Sequence, residues 1–154
     1  MLIEVYDDDV PAVVWLFCGR SNVDDDHERW LSSMQRLDKI AVSRGRAAAL
    51  LIIDPDNPPP PRAQRDRITS VARSIEGKTP LAVVTSSSVA RAIIGGLRFA
   101  GVVGFPLKGF ADVDAAVAWL GAPSPQTTTP AILALVAEAR AKSERLQGAS
   151  FRRD

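Results

Sequence analysis

Five side chains in this sequence are of the types that handle a phosphoryl group, and they come in a workable order: Asp8 and Asp9, then Asp54, Thr85 and Lys108. Paired carboxylates supply the hard oxygen ligands that Mg²⁺ takes. A third carboxylate, Asp54, is a group that can attack a phosphoryl centre, and a hydroxyl and an ammonium such as those of Thr85 and Lys108 are groups that can bind the added charge. A second acidic pattern overlaps the first: Asp54-x-Asp56, again with Thr85 downstream. The remaining chemistry is thinner. His27 is the single histidine and follows Asp24, Asp25 and Asp26. One histidine without a second nitrogen ligand is a weak metal site, so a solvated histidine on a helix face is the plainer reading. No G-x-S-x-G elbow accompanies it. Gly95-Gly96 does not follow a strand in the manner of G-x-G-x-x-G, and close helix packing is its plainer explanation.

These residues have to be positioned by regular elements. The stretch AAALLIIDPDN (47–57) is an apolar run that stops at Asp54, and four prolines follow at 58–61. It predicts a buried strand whose carboxyl end opens onto a polar loop, the edge where ligands and partners bind in open α/β sheets. Ahead of it, LIEVY (2–6) and AVVWLFC (12–18) are rich in β-formers and flank the turn signal DDDVP. They predict an opening hairpin. Residues 23–44 predict one long helix, capped by Asn22, with three aspartates in its first turn. Trp30, Met34, Leu37 and Ala41 recur in it at spacings of four, three and four, which marks a buried stripe.

After the prolines, 62–76 reads as a helix with Ile68, Val71, Ala72 and Ile75 inward. PLAVVTSSS (80–88) is a strand running into a serine-rich turn, and Ser86, Ser87 or Ser88 can cap a helix over 89–99. GVVGF (101–105) reads as the last strand. Asp112 caps a helix over 113–120 that faces inward through Val113, Ala116, Val117 and Leu120. The predicted fold class is α/β: a mixed, mostly parallel sheet with an N-terminal hairpin, order β-β-α-β-α-β-α-β-α, plus a C-terminal helix. Residues 1–121 form the α/β domain and 122–129, APSPQTTT, form a linker. The segment 130–154 carries an amphipathic helix over 130–147, with Ile132, Leu135, Val136 and Ala139 opposite Glu138, Arg140, Lys142, Glu144 and Arg145. That stripe either docks on the core or offers a homodimer contact.

Composition narrows the function classes. The chain has 154 residues, 46% of them hydrophobic, with 19 Lys plus Arg against 18 Asp plus Glu. A near-neutral balance argues against a nucleic-acid binder, which concentrates basic residues on one surface. The longest apolar runs are about seven residues against the roughly 20 needed for a membrane span. The acidic start MLIEVYDDD does not resemble a secretory signal, so a cytoplasmic protein is expected. Cys18 is the single cysteine. It leaves no intrachain disulfide and no basis for a Cys-type zinc site, and within VVWLFC it reads as a buried, inert thiol. Neither a metal nor a cofactor is called for.

The core resembles the STAS/CRAL-TRIO-like group, domains related to anti-sigma-factor antagonists that occur in many bacteria as small single-domain proteins. The resemblance is carried by the hairpin ending VVWLFCGR, the helix VDDDHERWLSSMQRL, the strand ALLIID with its proline-rich loop, RAQRDRI, LAVVTSSSVARAIIGGL and FADVDAAVAWLG. It covers about residues 2–121. It implies a mixed sheet packed by helices and a role in regulatory protein–protein interaction. Antagonists of the family carry a phosphorylatable Ser at the start of the helix after the third strand. Here Pro55 follows Asp54 and no Ser or Thr occurs before Thr69, so that phosphoswitch is absent from its expected place.

Two rivals compete with this reading. Asp8, Asp9, Asp54, Thr85 and Lys108 resemble the phosphoacceptor set of a response-regulator receiver domain. Against it, a receiver places helix, strand, helix between its acidic pair and Asp54, whereas 12–18 is β-rich and 23–44 is one unbroken helical pattern. Asp54-x-Asp56 resembles the nucleophile motif of haloacid-dehalogenase-like phosphatases, which set it on the first central strand and need a later acidic pair at a strand end. Asp112 and Asp114 begin a helix instead. A third possibility, lipid binding, follows from the CRAL-TRIO side of the resemblance, with Trp15, Trp30 and Trp119 lining a cavity in place of filling a core.

The favoured expectation is a non-catalytic interaction module that meets a regulatory protein partner through Asp54, Asp56, Asn57 and Pro58 in the loop to Pro61, together with Ser86, Ser87 and Ser88. The prolines stiffen this loop, so little ordering entropy is lost on binding.

Overall fold

The computed structural model describes residues 1–20 and 23–150. Its elements follow the predicted order: β1 (Leu2–Asp7), β2 (Ala12–Phe17), α1 (Asp24–Arg44), β3 (Ala48–Ile53), α2 (Arg62–Ser74), β4 (Leu81–Val84), α3 (Ser88–Phe99), β5 (Leu107–Phe110), α4 (Val113–Gly121) and α5 (Thr128–Ser150). The five strands lie side by side in sequence order, with β1 antiparallel to β2 and the others parallel. All six residues of β2 are buried, as expected for a strand covered on both faces.

Each strand divides its side chains between two cores. Trp15, Phe17, Leu51 and Val83 face Trp30, Leu31 and Met34 of α1 and Val71 and Ala72 of α2. Val14, Leu16, Leu50 and Ile52 face Ala116, Val117 and Leu120 of α4 and Ile132, Leu135 and Ala139 of α5. The molecule is therefore a three-layer sandwich, α1–α3 on one face and α4–α5 on the other. Burying an Ile or Leu side chain contributes roughly 1.5–3 kcal/mol, so α5 is held firmly by its three-residue stripe.

Local signals set the element ends. In the β1–β2 turn, Asp7 Oδ1 accepts the N–H groups of Asp9 (2.8 Å) and Val10 (3.1 Å), an aspartate-closed turn. Gly45 ends α1 at φ 75°, its N–H donating to Ala41 O. The predicted cap Asn22 lies outside the described residues. Asp112 caps α4 by accepting from Ala115 N–H at 2.8 Å. Pro130 sits in the first turn of α5, where a missing N–H costs nothing.

Two expectations change. The last strand is Leu107–Phe110, not 101–105. Gly101, at φ 68°, closes α3, with its N–H on Arg98 O and that of Val102 on Leu97 O. Val103 and Phe105 then insert into the core without ladder pairing, which begins at Pro106, whose carbonyl accepts from Leu81 N–H. The apolar alternation was genuine, but it served packing before pairing. The second change concerns α5. Its apolar stripe lies on β1, β2 and α4, so the homodimer contact expected over 130–147 loses that stripe to the chain's own sheet.

Candidate functional site

The carboxyl ends of the parallel strands form one edge. Asp54 follows β3, its N–H bonded to Phe17 O at the end of β2. Its carboxylate accepts from Arg140 Nη1 of α5 at 2.6 Å. Asn57 donates its backbone N–H to Asp54 O and its side-chain amide to Gly19 O at 3.1 Å. Arg65 Nη1 donates to Pro60 O. The loop from Asp54 to Pro61 is thus pinned at both ends and stiffened by five prolines, with Asp56 exposed at its turn. The partner Arg140 was not legible beforehand, being 86 residues away in sequence. Its one trace was its place beside Ala139 at the margin of the α5 stripe.

Next to this loop stands the end of β4. Thr85 is buried. Its N–H donates to Phe110 O, its hydroxyl accepts from Ser87 N–H at 3.3 Å, and its carbonyl accepts from Arg91 Nη1 at 2.7 Å. Ser87 is the α3 cap, accepting from Ala90 N–H at 3.1 Å. Ser86 and Ser88 are exposed beside it. Asp54, Asp56, Asn57, Pro58 and Ser86–Ser88 therefore do share one edge.

The phosphoacceptor set does not assemble. Asp8 and Asp9 sit in the β1–β2 turn, ahead of Ala12, which pairs with Ala48 at the start of β3. Asp54 lies past the other end of that strand, about 20 Å away at roughly 3.3 Å per residue. Lys108 is the second residue of β5, opposite Ala82, with its ammonium 5.3 Å from the Phe110 ring centre. The sheet order β1-β2-β3-β4-β5 also departs from the 2-1-3-4-5 order of the doubly wound fold on which receivers are built. For the haloacid-dehalogenase comparison, Asp112 is engaged as the cap of α4.

The tryptophans fill space. Trp15 and Phe17 meet Trp30 edge-on, with ring centres 6.2 and 6.0 Å apart, and Trp119 lies 5.7 Å from Phe110. Trp15 Nε1 donates to Glu4 and to Ser33, both at 2.9 Å. The void beside Trp15 measures about 20 Å³, room for about one water molecule and far too small for an acyl chain. His27 is buried, against expectation, with its ring 5.0 Å from Phe17. The aromatic contact outweighs the acidic neighbours in sequence. Among the described residues no group of three or more His, Cys, Asp or Glu side chains is placed to hold a metal ion. Cys18 is buried under α5, where Ser143 Oγ lies 3.4 Å from its sulfur.

No protein-family model, curated protein or solved structure matches this chain. No helix among the described residues is long and apolar enough to cross a membrane.

Proposed function

We propose that this protein is a non-catalytic, cytoplasmic signalling module of STAS-like type that binds a regulatory protein through the carboxyl edge of its sheet. The observation that carries the reading is the preorganised loop Asp54–Pro61. It is fastened through Asn57 to Gly19 and through Asp54 to Arg140, and it leaves Asp56 exposed on the strand-end edge that also carries Ser86 and Ser88. A loop already fixed in shape loses little entropy on docking. An exposed carboxylate on an edge that also carries small hydroxyls suits a basic or amide-donating surface on the partner. Thr69, the first hydroxyl after Asp54, lies inside α2 with its Oγ1 bonded to Arg65 O. Control by phosphorylation at the family's usual place has no acceptor here.

Asp54 is structural as well as surface-facing, so the clean test uses Asp56. Affinity capture with wild type and with Asp56→Ala/Ser88→Ala is expected to show a retained partner that the variant binds about tenfold less, the scale of one lost interface anchor. Identical captured sets, from variants of unchanged circular dichroism, would rule out this edge as the contact.

A further inference from the structure

The helix α3 is apolar on two sides. Ile94 and Leu97 pack against the core. Facing away stand Val89 (68% exposed), Ile93 (60%) and Phe99 (97%), together with exposed Ala92, Gly95, Gly96 and Ala100. At about 100° per residue these positions fill an arc of roughly 160° with no charge in it. The helix's two cations fall outside that arc, and Arg91 is tied to Thr85 O. A helix apolar all round belongs in an interior, and an exposed apolar patch of this kind marks an interaction site.

The glycines say what kind of surface covers it. Gly95 and Gly96 sit mid-helix, where glycine is less stable than alanine. A Cβ at either would meet nothing within 4 Å. By contrast, a Cβ on Gly109 would stand 3.2 Å from Arg91, where α3 crosses β5. Among the described residues nothing packs against the Gly95-Gly96 pair. That open space leaves room for a second helix to approach closely.

We propose that α3 is the contact face of a homodimer, lying antiparallel on α3 of a second copy about a twofold axis between Ile93 and Gly96. Ala92, Gly96 and Ala100 recur every fourth residue and form a groove beside the ridge of Val89 and Ile93. With that axis, Ile93 of each copy enters over Gly96 of the other, and Val89 over Ala100, so large meets small in both halves of an isologous contact. Two uncharged faces meet without like-charge repulsion, and antiparallel helices oppose their dipoles favourably. The face is small beside the roughly 1,000 Å² in all that a specific interface buries at its lower threshold. The contact is a weak, reversible dimer with a Kd on the order of tens of micromolar. It borders the proposed partner edge at Ser88, the first residue of α3, and its test reads self-association, not capture of a partner.

Sedimentation velocity on the full chain, from about 1 to 500 µM to span that range of Kd, tests it. Wild type is expected to rise from the 16.5 kDa monomer towards twice that mass. Ile93→Glu charges the face, and Gly96→Leu fills the groove while improving helix propensity. Each is expected to weaken association at least tenfold with unchanged helicity. The Gly96→Leu arm separates a specific helix pair from general stickiness, because a larger apolar patch that associates as well as or better than wild type overturns the proposal. A wild type that stays monomeric throughout also overturns it, whether or not it binds anionic phospholipid vesicles.

Discussion

Helices α5 and α3 are both amply apolar, yet they end differently. In α5, Ile132, Leu135 and Ala139 lie under the sheet while the outward side carries charge, including the Glu138–Lys142 pair at 2.8 Å. In α3 no residue is fully buried, and the outward side carries Val89, Ile93 and Phe99. The difference teaches that apolar content states only that a face needs cover. The opposite side states whether the helix has found it. A charged reverse, as on α5, marks a helix complete within its own chain. An uncharged reverse, as on α3, leaves the second cover to another molecule.

The widest gap between the two helices is in their cost of truncation. Ile132 is 1% exposed and Ile93 is 60% exposed. Ile132→Ala removes core atoms and leaves a cavity, so it is expected to lower unfolding free energy by about 2–5 kcal/mol. Ile93→Ala is expected to stay within about 0.5 kcal/mol. Urea denaturation at low micromolar protein, where the proposed dimer is dissociated, measures both as shifts in midpoint at constant slope. Equal losses from the two variants would mean that α3 is buried within the monomer, and the contrast would fail.

Sequence legibility followed the same division between local and distant causes. The strands 12–18 and 47–53 were readable because buried parallel strands are continuous apolar runs. Helix α1 is readable from the Trp30–Met34–Leu37–Ala41 spacing. The last strand was placed early because Val103, Phe105 and Leu107 alternate alike, although only the third is paired; alternation reports burial, and pairing depends on where Pro106 meets Leu81. On the candidate edge, Asp54, Asp56 and Ser86–Ser88 follow β3 and β4, and strand ends in a parallel sheet share one side. What no local pattern carries is which distant side chain arrives there. Arg140 reaching Asp54 and Phe17 covering His27 depend on the packing of whole helices. The Gly95-Gly96 pair signals close helix packing, and among the described residues no helix answers it.

Those glycines sharpen the contrast with a pair of opposite signs. Gly95 has open space where a Cβ would go, so Gly95→Ala is expected to stabilise the protein by about 0.5–1 kcal/mol. That is a rise of roughly 1–4 °C in Tm for a domain of this size. Gly109 faces the backbone and side-chain root of Arg91 at 3.2 Å, so Gly109→Ala is expected to lower Tm as α3 is pushed from β5. Calorimetry on dilute protein checks both. A stabilising Gly109→Ala would mean that α3 rests more loosely on the sheet than its contact at Gly109 implies.

The smallest expected effect concerns how α5 is held. Its two attachments differ in kind: the apolar stripe under the sheet, and the Arg140–Asp54 pair at its rim. The pair is short, 2.6 Å, but both side chains keep contact with solvent, at 42% and 21% exposure. Coulomb attraction there is screened, and two flexible side chains lose freedom in making it, so a coupling of about 0.2–1 kcal/mol is expected. A double-mutant cycle of Asp54→Asn, Arg140→Gln and both together isolates that coupling from the other contacts each side chain makes. Raising the salt from about 0.05 to 0.5 M, which shortens the screening length, is expected to shrink the coupling, while the cost of Ile132→Ala stays unchanged. A coupling above about 2 kcal/mol that resists salt would mean that electrostatics, not the stripe, fastens α5. The completed amphipathic helix would then be the wrong description of it.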